Sequence, residues 1–447
     1  GTTTLTNNSL SGNTASSGGG IFAFGGTNTL TNNSLSGNTA DFGGGIYTSG
    51  GTNTLTNNSL SGNTAANAGG GIYTSGGTNT LTNNIIWGNS SGILNSGSSL
   101  TVTYSIVQQA SGVYSGTGNL NVDPQFVNQP PQGLGTSGDL RLQACSSAIN
   151  AGNDADVPMG VTTDLDGNAR IFDGTVDMGA YELQGVVPNS LTRYYVDVDA
   201  TSGNNTGLSW ENAFTDLQSA LASTCPDITE IWVAEGTYKP SAYPAGCTGC
   251  ATNRDFTFQL KDGVSLYGGF AGTETMLSQR DIAANPTILS GDIDMVGDAS
   301  DNVHHVVLAV FASTTPTTRL DGFTITGGNA DGSSNITVNG ATLYRYYGGG
   351  IYTDGGTNTL TNNSLSGNSA GSRGGGIYTF ESMITLMNNS LLGNKVSNSG
   401  GGIYTESSTT TLMNNSLLGN EAGNLGGGIC TDGGINTLTN NSLSGNT

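Results

Sequence analysis

Residues 43–63 read GGGIYTSGGTNTLTNNSLSGN, and close copies of this stretch recur along the chain. Apolar residues within one copy alternate with small polar residues, as in Thr54-Leu55-Thr56 and Ser59-Leu60-Ser61. Gly-Gly-Gly-Ile tetrapeptides recur at a spacing of 26 residues within each of two sets, which end at Ile46 and Ile72, and at Ile351, Ile377, Ile403 and Ile429. Alternation with period two is typical of β-strands, and a fixed period of this length indicates a solenoid.

The repeat predicts an all-β fold, a right-handed parallel β-helix with about 26 residues per rung and three short strands per rung. One Ile and two Leu of each rung would point inward, and each would contribute about 2 kcal/mol on burial. Asparagines recur in two columns, where side-chain amides would form ladders along the axis: Asn8, Asn33, Asn58 and Asn84, and Asn13, Asn38, Asn63 and Asn89.

The regular repeat stops after Trp87, and residues 105–185 carry different motifs. Two of these are Thr163-Asp164-Leu165-Asp166-Gly167-Asn168 and Asp177-Met178-Gly179-Ala180-Tyr181-Glu182. The stretch resembles the closing segment of bacterial choice-of-anchor Q β-helix surface proteins. The Gly-Gly-Gly-Ile and Asn-Asn-Ser-Leu rungs are similar to polymorphic-outer-membrane-protein-type adhesin repeats. The resemblance implies a secreted protein at the bacterial cell surface, often sorted or anchored through type IX or related pathways.

A second β-helix is expected to begin after this closing segment. Tyr194-Tyr195-Val196-Asp197-Val198 has the pattern of a strand, and residues 213–224 that of a short lid helix, capped by Thr215 or Asn212. The following residues 230–238 are similar to the first rung of pectin-lyase-like β-helices. We therefore expect three parts: residues 1–185 as the end of one β-helix with its closing segment, 186–192 as a linker, and 193–447 as the start of another, with irregular rungs to 347 and regular rungs over 348–447.

The chain is thus expected to contain the end of one β-helix followed by the beginning of another. Residues 434–447 match residues 1–14 at 12 of 14 positions. This predicts either that the chain is an excerpt of a longer tandem array or that copies stack end to end.

Composition excludes some classes of partner. The 447 residues include 11 Lys and Arg against 32 Asp and Glu, for a net charge of -21, which excludes a nucleic acid as partner because phosphates are held by Lys and Arg. No run of 18 apolar residues occurs, so no membrane insertion is expected within this segment.

Two acidic clusters offer oxygen ligands of the kind that Ca²⁺ prefers. Neither has a complete twelve-residue calcium loop, so solvated turn carboxylates are the alternative interpretation. The candidate ligands are Asp154, Asp156, Asp164 and Asp166 in the first cluster, and Asp292, Asp294, Asp298 and Asp301 in the second.

Five cysteines leave one without a partner if the others pair. In a secreted protein we expect a disulfide between Cys225 and either Cys247 or Cys250, with Cys247 to Cys250 as the rival pairing. Cys430 occupies a position that is tyrosine in other rungs, so it is expected to point outward and remain free.

Those tyrosines form a column at rung spacing. They are Tyr47, Tyr73, Tyr352, Tyr378 and Tyr404, with Phe22 at the corresponding place in an earlier rung. An outward aromatic column could bind cell-surface glycans or another protein, and mutual stacking of the rings along the ladder is the alternative.

Three functions are therefore weighed. Parallel β-helices include polysaccharide lyases and glycosidases, which need paired carboxyls or a base beside metal-bound carboxylates. The regular rungs provide neither, and His304 and His305 lie in a Val-rich strand, where packing is the simpler role. We expect a protein that is not an enzyme: an extracellular structural or adhesive repeat protein, part of a rod-like stalk, fibre or filament. A carbohydrate-binding surface module and a polysaccharide lyase or glycosidase are the alternatives.

Overall fold

A computed structural model describes residues 1–133, 135, 137–185, 187, 191–201, 203–311 and 317–447. The chain forms two compact units, which we call unit 1 (Gly1–Leu191) and unit 2 (Thr192–Thr447). Most of the linker expected at 186–192 lies outside the described residues. Each unit is treated separately below.

Each regular rung of unit 1 passes through three parallel sheets, which we name by a residue that recurs in them. The tyrosine sheet contains Ile21–Phe24, Ile46–Ser49, Ile72–Ser75 and Ile93–Ser96. The leucine sheet contains Thr2–Thr6, Thr27–Thr31, Thr52–Thr56, Thr78–Thr82 and Ser99–Thr103. The serine sheet contains Ser9–Ser11, Ser34–Ser36, Ser59–Ser61, Ile85–Ile86 and Ile106–Val107. A corner pair, Thr39–Phe42 with Thr64–Ala68, adds a further strand to two rungs.

The strands pair parallel and in register, so equivalent residues lie over one another. In the leucine sheet, Leu30 pairs with Leu55 and Leu55 with Leu81, and in the tyrosine sheet Ile46 pairs with Ile72. These side chains are fully buried in one continuous core. The predicted parallel β-helix with vertically aligned aliphatic side chains is confirmed.

Asparagine ladders run beside this core, as predicted. The Nδ2 of Asn33 donates to Oδ1 of Asn58 at 2.9 Å, and the Nδ2 of Asn58 donates to Oδ1 of Asn84 at 3.0 Å. The first asparagine of each Asn-Asn pair has a different role, since Asn57 has a left-handed φ of 54° that turns the chain.

A third ladder was not predicted from the sequence. Asn28, Asn53 and Asn79 are buried on the inner face of the leucine sheet, where Asn28 Nδ2 donates to Asn53 Oδ1 at 2.8 Å and Asn53 Nδ2 to Asn79 Oδ1 at 3.0 Å. Amides that satisfy one another in this way can occupy an otherwise apolar core.

The closing segment of unit 1 packs against the outside of the serine sheet. It contains an antiparallel pair, Phe126–Asn128 with Asp139–Leu142, and a 3₁₀ turn at Asp154–Asp156. Phe126, Leu140 and Met178 bury themselves against Ile85 and Ile106. The corner asparagines hold the segment by hydrogen bonds; they include Asn32 to Thr163 O, Asn57 to Asp177 O and Asn83 to Asn153 O.

Unit 2 repeats the same three sheets with more strands. Its leucine sheet contains Arg193–Val196, Glu230–Ala234, Ser265–Phe270, Thr317–Asp321, Thr357–Thr361, Met383–Met387, Thr409–Met413 and Ile435–Thr439. Its serine sheet contains Gly236–Tyr238, Thr287–Ser290, Phe323–Thr326, Ser364–Ser366, Ser390–Leu392, Ser416–Leu418 and Ser442–Ser444. Its tyrosine sheet contains Phe258–Gln259, Val307–Val310, Ile351–Asp354, Ile377–Phe380, Ile403–Glu406 and Ile429–Asp432.

Four two-residue strands form a corner sheet in unit 2: Asn329–Ala330, Ser369–Ala370, Lys395–Val396 and Glu421–Ala422. Rungs of unit 2 that include one of them have four pairing segments, one more than the three expected. An antiparallel hairpin, Asn335–Val338 with Ala341–Tyr344, is inserted before the regular rungs. Short 3₁₀ turns occur at Asn253–Asp255 and Leu277–Gln279.

The helix of unit 2 spans Leu217–Ala222, which is shorter than the expected 213–224. Phe214 is extended and bridges to Val196, so the helix cannot begin there. Asp216, rather than Thr215 or Asn212, caps it, because the Asp216 side chain accepts from the main-chain nitrogen of Ser219 at 2.8 Å.

Candidate binding surface

The aromatic column of unit 2 is covered. Tyr352, Tyr378 and Tyr404 pack beneath Ile336, Val338 and Leu343 of the inserted hairpin. Tyr378 is only 2% exposed, and its hydroxyl donates to Oε2 of Glu406 at 2.7 Å. Burial raises the pKa of this tyrosine. The expected outward binding column is therefore wrong for these three tyrosines, because the hairpin inserted before the regular rungs covers them.

The same column in unit 1 is open. Phe22 is 49% exposed, and Tyr47 and Tyr73 are half-buried. Their rings stack edge to face, with centroids 5.0 Å apart for Phe22 and Tyr47 and 4.8 Å apart for Tyr47 and Tyr73. We call Phe22, Tyr47 and Tyr73 the open aromatic stripe. Ring stacking is present in both units, so the open stripe can stack internally and still present ring surface to a ligand.

The carboxylates of the first acidic cluster are used within the closing segment. Asp154 accepts from the main-chain nitrogen of Val176 at 2.7 Å, and Asp156 accepts from Thr82 Oγ1 at 3.0 Å. Asp164 accepts from the nitrogens of Asn168 and Glu182 with its two oxygens. Burial raises the pKa of Asp166. The structure gives Asp154, Asp156 and Asp164 hydrogen-bond partners within unit 1, whereas the Asp166 side chain is exposed.

The carboxylates of the second acidic cluster fall into two groups. Asp294 is exposed and Asp298 is partly exposed. Asp298 accepts from the main-chain nitrogen of Ser300, and its hydrogen bonds with Ser300 lower the pKa of the Asp298 carboxyl. Asp292 and Asp301 turn into their loop, and each keeps one shielded oxygen with no hydrogen-bond partner. Within the described ranges, no group of three or more His, Cys, Asp and Glu side chains is arranged to hold a metal ion.

A buried charged network supports the closing segment and was not predicted. Arg170 pairs with Glu182 at 2.9 Å, and both side chains are 1% exposed. Asp177 accepts from the main-chain nitrogens of Asn150 and Leu183. Burial raises the pKa values of Asp177 and Glu182, and the Arg170 guanidinium opposes that rise. Because the segment's own backbone and side chains bind these carboxyls, the network holds the closing segment in place.

Both histidines are buried and have carbonyl partners. His305 Nδ1 lies 3.0 Å from the carbonyl oxygen of Gly348, and His304 Nδ1 lies 3.3 Å from that of Asn329. Burial lowers the pKa of each to about 4, so both are neutral at pH 7. Their burial agrees with the expected packing role, but the strand begins at Val307, so both histidines precede it rather than lie in it.

One disulfide joins Cys247 to Cys250, with Cα atoms 6.0 Å apart, which was the rival pairing. Cys225 is therefore bonded to neither of these two cysteines, and its sulfur accepts a hydrogen bond from the Tyr194 hydroxyl. Cys430 is free and half-buried beside Tyr404, rather than fully outward.

The continuous parallel sheets, the in-register core and the asparagine ladders define the class as parallel β-helix proteins. Comparison with protein families agrees: the family described as right handed beta helix region matches residues 1–145 and 313–447, more than half of the chain. The chain belongs to this family. No curated protein matches the sequence. In the part of the chain that the structure describes, no helix is long and apolar enough to cross a membrane.

Proposed function

We propose that the chain is a segment of an extracellular structural or adhesive repeat protein, a rod-like stalk, fibre or filament of a bacterial surface. The observation that carries this proposal is the stacking itself. Each regular rung binds the next through main-chain hydrogen bonds, side-chain amides and aligned aliphatic side chains. Such a stack gains length with each added rung, and its stability comes from contacts between neighbours.

The ladders have a direction that supports continuation by further rungs. In the ladder of Asn33, Asn58 and Asn84 and in its counterpart in unit 2, the asparagine of one rung donates its Nδ2 and main-chain nitrogen to Oδ1 of the next, as Asn415 does to Asn441. A further rung after Asn441 would accept in the same way, and one preceding Asn8 would donate to it. We propose that rungs of a longer chain or of another copy occupy these positions.

Secretion to the cell surface is part of the same proposal. Its support is the resemblance of the closing segment to choice-of-anchor Q proteins and of the rungs to polymorphic-outer-membrane-protein-type repeats. Export by a type IX or related pathway follows from that resemblance and is proposed with it.

Immunoelectron microscopy of the producing bacterium tests this function. Antibodies raised against the folded chain should label thin rods or fibres outside the outer membrane, and antibody pre-absorbed with the folded chain is the control. Label confined to the cytoplasm would contradict the proposal. Release of unsaturated sugars from acidic polysaccharides by the purified chain would favour a lyase instead.

A second candidate function rests on the open aromatic stripe. Partly exposed rings at a spacing of about 5 Å present apolar surface of the kind that stacks on sugar rings. In this alternative, unit 1 is a carbohydrate-binding surface module for cell-surface glycans.

A glycan array distinguishes this alternative from a purely structural role. Binding by the intact chain should fall at least tenfold in Tyr47→Ala, which removes the central ring of the stripe. Tyr243→Ala, at an exposed tyrosine of unit 2, is the matched control and should bind like the wild type. No binding by the wild type, or equal loss in both variants, would contradict the alternative.

A further inference from the structure

The open aromatic stripe belongs to a larger apolar surface of unit 1. In the tyrosine sheet Phe22 pairs with Tyr47, Tyr47 with Tyr73, and Tyr73 with Leu94. Phe22 is 49% exposed and Leu94 is 42% exposed. The ring of Phe24 lies 6.3 Å from that of Phe22 and is the most exposed of the set, at 77%. Four successive rungs therefore present large apolar side chains on the outer face of one sheet.

The same column in unit 2 shows what can cover such a surface. Three aliphatic side chains of the inserted hairpin, Ile336, Val338 and Leu343, pack over it. Under the hairpin, the outward residues of four successive rungs are each no more than 5% exposed: Leu308, Tyr352, Tyr378 and Tyr404. A contiguous apolar column that is buried in one unit and open in the other indicates a docking surface.

Neither the covering hairpin nor the open surface is charged. Residues 335–344 read NITVNGATLY and contain no Asp, Glu, Lys or Arg. In unit 1, Asp41 is the only charged side chain among residues 1–104. A charged group that docked on this surface would lose hydration without gaining an ion pair, so the surface favours an uncharged occupant.

The ring geometry favours strand side chains over a flat ligand. The ring planes are inclined at 74° between Phe22 and Tyr47 and at 82° between Tyr47 and Tyr73. Ring edges and faces therefore alternate along the stripe, which offers ridges and gaps rather than one flat platform. Aliphatic side chains two residues apart on a strand point to the same side, as Ile336 and Val338 do in unit 2, and can enter such gaps.

We propose that the open aromatic stripe docks an uncharged β-hairpin of a partner polypeptide. Aliphatic side chains of that hairpin would pack over Phe22, Tyr47 and Tyr73 as the hairpin of unit 2 packs over its own tyrosines. The occupant is a protein, a different class from the glycan weighed above. The inference goes beyond the proposed surface role and does not depend on it, because docking is a property of the folded chain wherever the chain is located.

The hairpin of unit 2 provides the probe for a test. Its turn residues Asn339 and Gly340 have left-handed φ angles of 50° and 85°, typical of a two-residue hairpin turn. Asn335 pairs with Tyr344 at the open end. A peptide of residues 335–344 that is cyclised through D-Pro-Gly at this end should keep the two strands paired. Photo-leucine in place of Leu343 allows crosslinking even when binding is weak.

Irradiation of the full chain with this peptide should crosslink it to the strands Ile21–Phe24, Ile46–Ser49 and Ile72–Ser75, as located by mass spectrometry. Tyr47→Ser should lower the crosslinking about fivefold or more, because it removes the central ring of the contact. Serine already occupies an outward position of the same strand, so the strand should still form. Leu392→Ser, at a leucine of unit 2 that is 48% exposed, is the matched control and should crosslink like the wild type.

A variant that gains contact guards against a loss caused by misfolding. Ser75→Phe places a ring where the corresponding strand of unit 2 has Phe380, and it should raise the crosslinking about twofold or more because it adds apolar contact area. A control peptide with serine in place of Ile336 and Val338 should crosslink about fivefold less than the original.

Three results would overturn the proposal: no crosslinking of the wild type, equal crosslinking by the control peptide, or an equal loss in Leu392→Ser. Glycan binding that depends on Tyr47, without crosslinking of the peptide, would assign the stripe to sugars and would also overturn it.

Discussion

The second asparagine of each Asn-Asn pair binds three rungs together. Asn58 accepts from Asn33 with its Oδ1, donates to Asn84 with its main-chain nitrogen, and also donates its Nδ2 to Leu30 O. The side chain is fully buried, so water cannot replace these partners. Its contribution to stability should therefore be larger than that of an exposed hydrogen-bonding residue.

Asn58→Ala should lower the free energy of unfolding of unit 1 by about 2–5 kcal/mol, because several buried polar groups lose their partners. The matched control is Asn8→Ala, which removes the same side chain from the half-buried first rung and should cost less than about 1 kcal/mol. Urea unfolding of the full chain measures both values. Equal losses would show that burial of the ladder is not what stabilises it.

Acid should destabilise unit 2 through its buried histidines. His305 has a pKa lowered to about 4 by burial, whereas the unfolded chain protonates near 6.5. The unfolded state therefore binds more protons between these values, and stability should fall as the pH drops from about 6.5 to 4, by about 2–3 kcal/mol for His305.

His305→Gln tests this effect, because glutamine does not titrate and keeps a donor for Gly348 O. The pH dependence of its unfolding free energy between pH 7 and 4.5 should be shallower than that of the wild type by about 2–3 kcal/mol. Parallel pH profiles in the two proteins would contradict the account of a neutral, buried imidazole.

Alternation with period two predicts which side chains of each strand face inward and which face outward. It places Leu55 in the core, and it also places Asn53 on the same face, which is the signal for the third ladder. We expected only apolar residues inside, and that assumption hid the signal.

At the scale of elements, the Gly-Gly-Gly turn permits the rungs to approach closely. A Cβ on Gly44 would lie 2.5 Å from the carbonyl oxygen of Thr64 and 2.6 Å from that of Gly70. Gly50, in the turn before the leucine sheet, has a left-handed φ of 71° and no neighbour within 4 Å of such a Cβ. The two glycines are therefore required for different reasons.

Gly44→Ala should destabilise unit 1 by about 3 kcal/mol or more, because main-chain atoms of the next rung would have to move. Gly50→Ala should cost only about 1 kcal/mol, the price of a left-handed alanine. Urea unfolding of the two variants gives the comparison. A larger loss for Gly50→Ala would mean that backbone conformation, and not close stacking, explains the glycine turn.

The strands could be predicted from the sequence, but the segments that pack over the sheets could not. The Ile-Tyr-Thr strands of the tyrosine sheet have the same outward pattern, whether the tyrosine is open as at Tyr47 or covered as at Tyr378. The difference is the hairpin of Asn335–Val338 and Ala341–Tyr344, which contacts the tyrosines only once the chain is folded. For the same reason, nothing in the sequence indicated that Arg170 and Glu182 pair in the interior.

At the scale of the whole molecule, the same type of rung occurs in two units, and a different irregular segment covers a different sheet in each. Unit 1 covers its serine sheet with the closing segment, and unit 2 covers its tyrosine sheet with the hairpin. The repeat thus gives both units the same stacked sheets, and the irregular segments determine which sheet faces stay uncovered and can bind a partner. Partner binding should therefore map to the uncovered faces.

Spin-label distances along the leucine sheet of unit 2 test the column most directly. The register aligns Arg193, Glu230, Ser265, Arg319 and Thr359 with the following rungs up to Thr437. Cysteines at residue 265, 230 or 193, each combined with Thr437→Cys in a Cys430→Ser background, should give mean separations of about 24, 29 and 34 Å, rising by about 4.8 Å per rung. Separations that do not rise in equal steps would contradict the parallel, in-register column on which the account rests.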